Sequence, residues 1–176
     1  EIEDGICSTP GLQFGAKEPQ RAVELPAALL AGHELLPEAV DLFRDPDLLD
    51  RAMTHRSATQ GKAVAWSNER LEFLGDRVLG LVIVEALLVR FPDLREGDLA
   101  PRLNALVSRD TCAIIGSDLG LGQYLIVDHS ERATGGPTKR SLLANAAEAV
   151  IGAVYLDGGL KAAEKFILKH WAVLLK

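Results

Sequence analysis

Three acids, Glu69, Glu72 and Asp76, follow one another at spacings of three and four residues within a segment that is otherwise largely apolar. If that segment is helical, the three carboxylates project from one face of it. Taking a lone carboxylate out of water is strongly unfavourable, so three on a core helix need cations, hydrogen-bond donors or a water-filled cleft in front of them. Neither Arg70 nor Arg77 lies on that face. Further along, Asn145 and Glu148 stand three apart among Leu142, Leu143, Ala144, Ala146, Ala147, Ala149, Val150 and Ile151, so a second apolar helix also carries oxygen donors on one face. Two helices crossing with these faces together would assemble hard oxygen ligands, which suit Mg2+ or Mn2+ better than zinc. Such a site could activate water and stabilise a leaving oxygen in phosphodiester hydrolysis. The spacing fits a structural arrangement equally well, with the acids accepting hydrogen bonds at a helix N-terminus or an interface.

Other chemistries find less support. A ferritin-like carboxylate site wants Glu-x-x-His pairs, and none of His33, His55, His129 or His170 follows a glutamate by three. No nucleophile-elbow sequence is present for a Ser-His-Asp enzyme. Cys7 and Cys112 have no cysteine or histidine at zinc-ligand spacing and read as free thiols. His55 is expected to make a structural hydrogen bond, and Trp66 and Trp171 to serve packing or an interface rather than base stacking. The 19 basic against 25 acidic side chains leave a net charge of −6, the opposite of a surface that grips phosphates everywhere, so nucleic-acid contact must be local or shared with a partner.

The elements needed to position these residues are helices. A hydrophobic content of 48% over 176 residues supports one buried domain plus a tail. Residues 1–34 mix Gly5, Pro10, Gly11, Gly15, Pro19 and Pro26 and read as an irregular N-terminal extension, followed by a domain over 35–176. Short helices are predicted around Glu38 to Phe43 and from Pro46 and Asp47. Ser67 is a candidate cap for a long helix that runs to Pro92, apolar on nearly all sides past Gly75 and therefore expected at the centre of a bundle. Further helices are predicted over Glu96 to Ser108, Asp110 to Leu119, Thr138 to Tyr155 (ended by Asp157-Gly158-Gly159) and Lys161 to Leu174, with Asp128 to Pro137 an exposed loop. No segment alternates convincingly as a strand, so the fold class is all-α. The longest membrane-span candidate, Val78 to Val89, is interrupted by Glu85 and reads as core, so no membrane partner is expected. The acidic start, Glu1 to Asp4, is neither a secretory signal nor an intact Arg-rich transit peptide. A cytoplasmic, bacterial-type location is expected, or a mitochondrial or plastid matrix after removal of a transit peptide.

Asn68-Glu69-Arg70-Leu71-Glu72-Phe73-Leu74-Gly75-Asp76 resembles the signature of the ribonuclease III family. Thr54-His55-Arg56-Ser57 is similar to the family's upstream motif, Glu96-Gly97 with Leu106-Val107-Ser108 to its middle, and Glu148 through Gly159 to the stretch that closes its metal site. The resemblance runs from about Pro37 to the end. It implies a helical endonuclease domain that works as a homodimer, holds double-stranded RNA in a cleft along the interface, and cuts structured precursors such as ribosomal RNA to 5′-phosphate products with short 3′ overhangs. By motif position Glu72, Asp76, Asn145 and Glu148 are the implied ligands of Mg2+, or of Mn2+, and Asp76 and Glu148 the implied catalytic pair. Glu69 falls at the cleft and interface, and Phe73 packs into the partner. Two positions depart from the pattern. Asn145 stands where an aspartate is usual, which removes one negative charge, and Arg77 where a small residue is usual. Bacterial members append a double-stranded-RNA-binding domain, whereas this sequence stops at Lys176; either it is truncated or it works without one, and a minimal nuclease would draw its phosphate contacts from Arg56, Arg102, Arg109, Lys139 and Arg140. The second reading is a catalytically silent, ribosome- or ribonucleoprotein-associated subunit, organellar in some settings.

Overall fold

The computed structural model describes residues 43–59 and 66–175. The predicted extension, the boundary near residue 35 and the helix around Glu38 lie outside those residues, apart from Phe43, which is not helical.

Helix α1, Pro46–Met53, starts where the Asp45 carboxylate accepts from the Asp47 N–H and Pro46 occupies the first turn. Helix α2, Glu69–Arg90, is the long helix predicted from Ser67 to Pro92. Its N-cap position is Asn68 rather than Ser67, because the Ser67 hydroxyl turns to the Glu69 carboxylate at 3.3 Å. Helix α3, Glu96–Leu106, stops short of Ser108, whose hydroxyl instead accepts from Thr111 N–H and opens α4, Arg109–Asp118. The stretch predicted as a loop, Asp128 to Pro137, contains a short helix, α5, His129–Ala133, and a 3-10 turn at Gly136–Thr138. Asp128 causes the difference: its carboxylate accepts from the Glu131 N–H at 2.7 Å, an N-cap bond that starts a helix where composition suggested only a turn.

Helix α6 spans Arg140–Trp171, with its backbone broken at Gly159 (φ 74°, ψ −174°), a left-handed conformation that glycine adopts without steric cost. The predicted stop at Asp157-Gly158-Gly159 is this break. Beside it, the Asp157 carboxylate accepts from the Arg44 and Asp45 N–H groups at 2.9–3.0 Å and ties the entry of α1 to α6. Among the described residues the only extended pairing is an isolated parallel bridge between Thr54 and Ile126. No helix among them is long and apolar enough to cross a membrane.

The core is built on α6, against which α1, α2 and α4 pack. Leu71, Leu79 and Ile83 of α2 meet Ile151, Ile167 and Trp171 of α6 in one buried cluster, each no more than 1% exposed. Trp171 packs as its apolar ring requires, and its indole N–H donates to the Leu106 carbonyl at 2.9 Å. The crossing of α2 and α6 is unusually intimate. A methyl group at Gly75 would lie 1.7 Å from the Glu148 carbonyl oxygen, and one at Gly152 would lie 2.2 Å from that of Leu71. Backbone therefore packs on backbone there, without intervening side chains.

Gly75→Ala or Gly152→Ala must force the two helices apart, and a loss of at least about 2–3 kcal/mol of stability is expected in urea unfolding. Gly97→Ala in α3, where a methyl group meets nothing within 4 Å, should be neutral or stabilising by up to about 1 kcal/mol. Equal effects of the three substitutions would contradict a steric role for the crossing.

Candidate functional site: an acidic cleft between two helices

The glycine contact places the acidic faces of α2 and α6 side by side. Glu72 and Asp76 lie within one turn of Gly75, and Glu148 lies one turn before Gly152. Together with Glu69, Phe73 and Asn145 they line one cleft of about 780 Å³. Its other walls carry His55 and Arg56 from the segment after α1, Arg109 at the start of α4, and Glu131, Lys139, Ser141 and Leu142.

The structure thus brings together, from segments up to about 90 residues apart, most of the residues singled out from the sequence. Arg102 and Arg140 do not line the cleft. The Arg102 guanidinium stacks over the Phe91 ring at 4.8 Å, and Arg140 pairs with Asp110 at 2.8 Å on an exposed surface. His55 makes the expected structural bond, its Nδ1 meeting the Ser57 hydroxyl at 2.9 Å, and burial holds its pKa below the usual value. Sequence reasoning missed Glu131, which receives the Lys139 ammonium at 2.5 Å across the cleft wall. A usable signal existed, because Asp128 and Glu131 stand at the spacing of a capping box.

Arg77 reverses an expectation. It lies off the acidic face, yet its guanidinium engages the Asp76 carboxylate. The side chain is long enough to bend back one turn, where it also lies over the Phe73 ring at 5.4 Å. A second pair, Arg56 with Glu69 at 3.5 Å, sits at the exposed rim.

Electrostatics single out the cleft floor. Burial, reinforced by the charges of Asp76 and Glu72, pushes the Glu148 carboxyl up to about 7. Burial also raises Glu72, with Arg109 opposing and Glu69 and Asp76 adding to the shift. Beneath Glu148 the thiol of Cys112 is fully buried, and that burial raises its pKa strongly, so it stays protonated. Its sulfur donates to the Val107 carbonyl at 4.0 Å, and as a protonated thiol it does not compete with the carboxylate for a cation.

The donor set, three carboxylates and one amide oxygen, matches a hard divalent cation in atom type, and a cation would offset the burial and the repulsion that raise Glu72 and Glu148. Among the described residues, however, no three His, Cys, Asp or Glu side chains already converge as a metal cage. The carboxylates line the wall without closing on one point.

Comparison with known proteins agrees with this geometry. A family profile described as Ribonuclease-III-like matches residues 45–173. The chain is 53% identical over 129 residues to Ribonuclease 3 of Cereibacter sphaeroides, a match covering 73% of this chain and 56% of the relative. It is 54% identical over 130 residues to Ribonuclease 3 of Dinoroseobacter shibae, again covering 73% and 56%. The chain therefore spans little more than half the length of these relatives. Among solved structures, the nuclease domain of ribonuclease III from Campylobacter jejuni superimposes with a TM-score of 0.72 at 39% identity, covering 78% of this chain and 94% of that one. That structure is described as showing flexibility in a region involved in dimer formation.

The raised Glu148 carboxyl binds its proton more tightly in the folded than in the unfolded chain, whose reference value is 4.5. Ionising it in metal-free protein therefore costs stability as pH rises from that value through about 7, and the full cost is present above. In EDTA at pH 8, Glu148→Gln should raise stability by on the order of 1–3 kcal/mol, with the gain vanishing towards pH 4. A variant that is less stable than the parent at pH 8 would show that the carboxylate is favourably held.

Proposed function

Since the chain belongs to the ribonuclease III family, we propose that its acidic cleft is the catalytic site of a divalent-metal-dependent endoribonuclease acting on double-stranded RNA. The observation that carries this reading is that Glu72 and Asp76 from α2 and Asn145 and Glu148 from α6 line one cleft. Of the oxygen donors there, these four are the set that would hold Mg2+ or Mn2+. A cation held there would supply Lewis acidity toward a phosphodiester oxygen and lower the pKa of water, the chemistry that leaves 5′-phosphate ends.

The protein's own residues do the rest. The α2–α6 crossing holds the carboxylates on two rigid helices, which keeps them placed better than loop residues could. Arg56, Arg109 and Lys139 put positive charge on the cleft walls of a chain whose net charge is −6, and serve to bring phosphates in locally. Asn145 supplies an amide oxygen in place of a carboxylate, so the site carries one negative charge fewer than the family motif and attracts a hard cation less strongly.

The protein acts as a homodimer through α2. Phe73, Leu81, Val84 and Leu88 are 68%, 54%, 36% and 55% exposed and recur at helical spacing as an apolar stripe, interrupted by Arg77 between Phe73 and Leu81. Phe73 belongs both to this stripe and to the cleft, so covering the stripe sets one wall of the site. The alternative of a silent ribonucleoprotein subunit finds no specific support in the site, and the relatives carry the name Ribonuclease 3.

The decisive assay is cleavage of a long double-stranded RNA with Mg2+. The parent should cut and Glu148→Gln should fall by a factor of about 100 or more. Asn145→Asp should lower the Mg2+ concentration needed for half-maximal rate by roughly tenfold. An inert parent that stays inert with Asn145→Asp, while folded and dimeric, would end the nuclease reading. Separately, Leu81→Asp should turn a dimer into a monomer in sedimentation, and an unchanged mass would exclude the α2 stripe as the interface.

A further inference from the structure

Among the described residues, Arg77 is the cation that touches one of the four candidate ligands directly. Successive residues on a helix point about 100° apart and do not ordinarily face each other. Arg77 reaches Asp76 by folding back along the helix, with its guanidinium over Phe73 one turn earlier. Both Phe73 and Asp76 line the cleft, so the aromatic face parks the positive group at its mouth. The contact uses one of the two Asp76 carboxylate oxygens, the group that a metal would draw on. It coexists with a set of acids that, among the described residues, does not close on one point.

We propose that Arg77 is a built-in counter-cation for Asp76 that a divalent metal must displace, so that it sets the threshold for metal loading; this rests on the metal reading of the cleft. Two effects act in the same direction. The guanidinium occupies Asp76 before metal arrives, and its charge repels the incoming ion once displaced. The Arg77 side chain is 69% exposed and that of Asp76 37%, which makes the pair weak enough to yield to a divalent cation. The arrangement lowers the repulsion at the cleft when no metal is bound and leaves the ligand free when it is. It is a property of this chain's own sequence, since a small side chain at position 77 would leave Asp76 without this partner.

Titration of the purified full chain with Mn2+, read by the electron paramagnetic resonance of the free ion without RNA, tests the idea apart from activity. Arg77→Gln should bind Mn2+ about two- to fivefold tighter than the parent, and Arg77→Ala should shift in the same direction. Unchanged or weaker binding by both variants overturns the proposal. Glu148→Gln serves as the control for the reading beneath it. If Glu148→Gln weakens Mn2+ binding while the Arg77 variants do not strengthen it, only the role of Arg77 fails. If Glu148→Gln has no effect, the carboxylates are not the metal site and both readings fall.

Discussion

Everything at the cleft depends on how closely α2 and α6 approach. Helices packed through ordinary side chains sit 8–10 Å apart, and acids on their flanks would be separated by the side chains between them. Glycine at 75 and at 152 removes those side chains, and each position faces the other helix's carbonyl. The carbonyl opposite Gly75 is that of Glu148 itself, so the contact that sets the crossing belongs to a residue of the site. A steric constraint on two backbone positions thus becomes an electrostatic fact, because the carboxylates on either side have no choice but to share one cleft.

Burying these acids side by side costs stability, and the cost is visible in the raised Glu72 and Glu148, which burial lifts first and the neighbouring carboxylates lift further. The fold tolerates it because so much else is apolar and tightly packed. Ala144, Ala146, Ala147, Ala149, Ile151 and Ala153 are at most 1% exposed around Glu148, and Leu71 and Leu79 anchor the other helix. Small alanines on α6 let neighbouring helices come near without creating voids. A core of this kind can hold a destabilised polar site rigidly, which is the usual relation between functional residues and the scaffold that bears them.

The helices were legible because their signals are local: apolar periodicity in α2 and α6, Pro46 after Asp45, and the glycine pair after Asp157. The acidic faces were legible for the same reason, since spacings of three and four translate directly into one face. What escaped was set by single side-chain bonds or by reach. Asp128 starts a helix through one bond to the Glu131 N–H, and Ser108 closes one element while opening the next. Spacing alone also misjudged Arg77, because the direction of Cβ does not limit where a long, flexible side chain ends. The partition of the arginines between cleft and surface, with Arg109 inside and Arg102 stacked on Phe91, depends on tertiary neighbours that no local pattern encodes.

Reading α2 as central because it is apolar all round was incomplete in an informative way. The helix has three faces. One, through Leu71, Gly75, Val78 and Val82, is buried against its own domain. A second, through Glu69, Glu72 and Asp76, lines the cleft. The third, through Phe73, Leu81, Val84 and Leu88, is apolar and uncovered. A solvated face of that composition would ordinarily carry charge, so its hydrophobicity is explained only if it too is buried, which the proposed dimer accomplishes. Arg77 falls on this third face beside Phe73 while its charge reaches the second. One helix therefore couples core, chemistry and assembly, and a change at Phe73 on the outer stripe bears on Glu72 and Asp76 beside it.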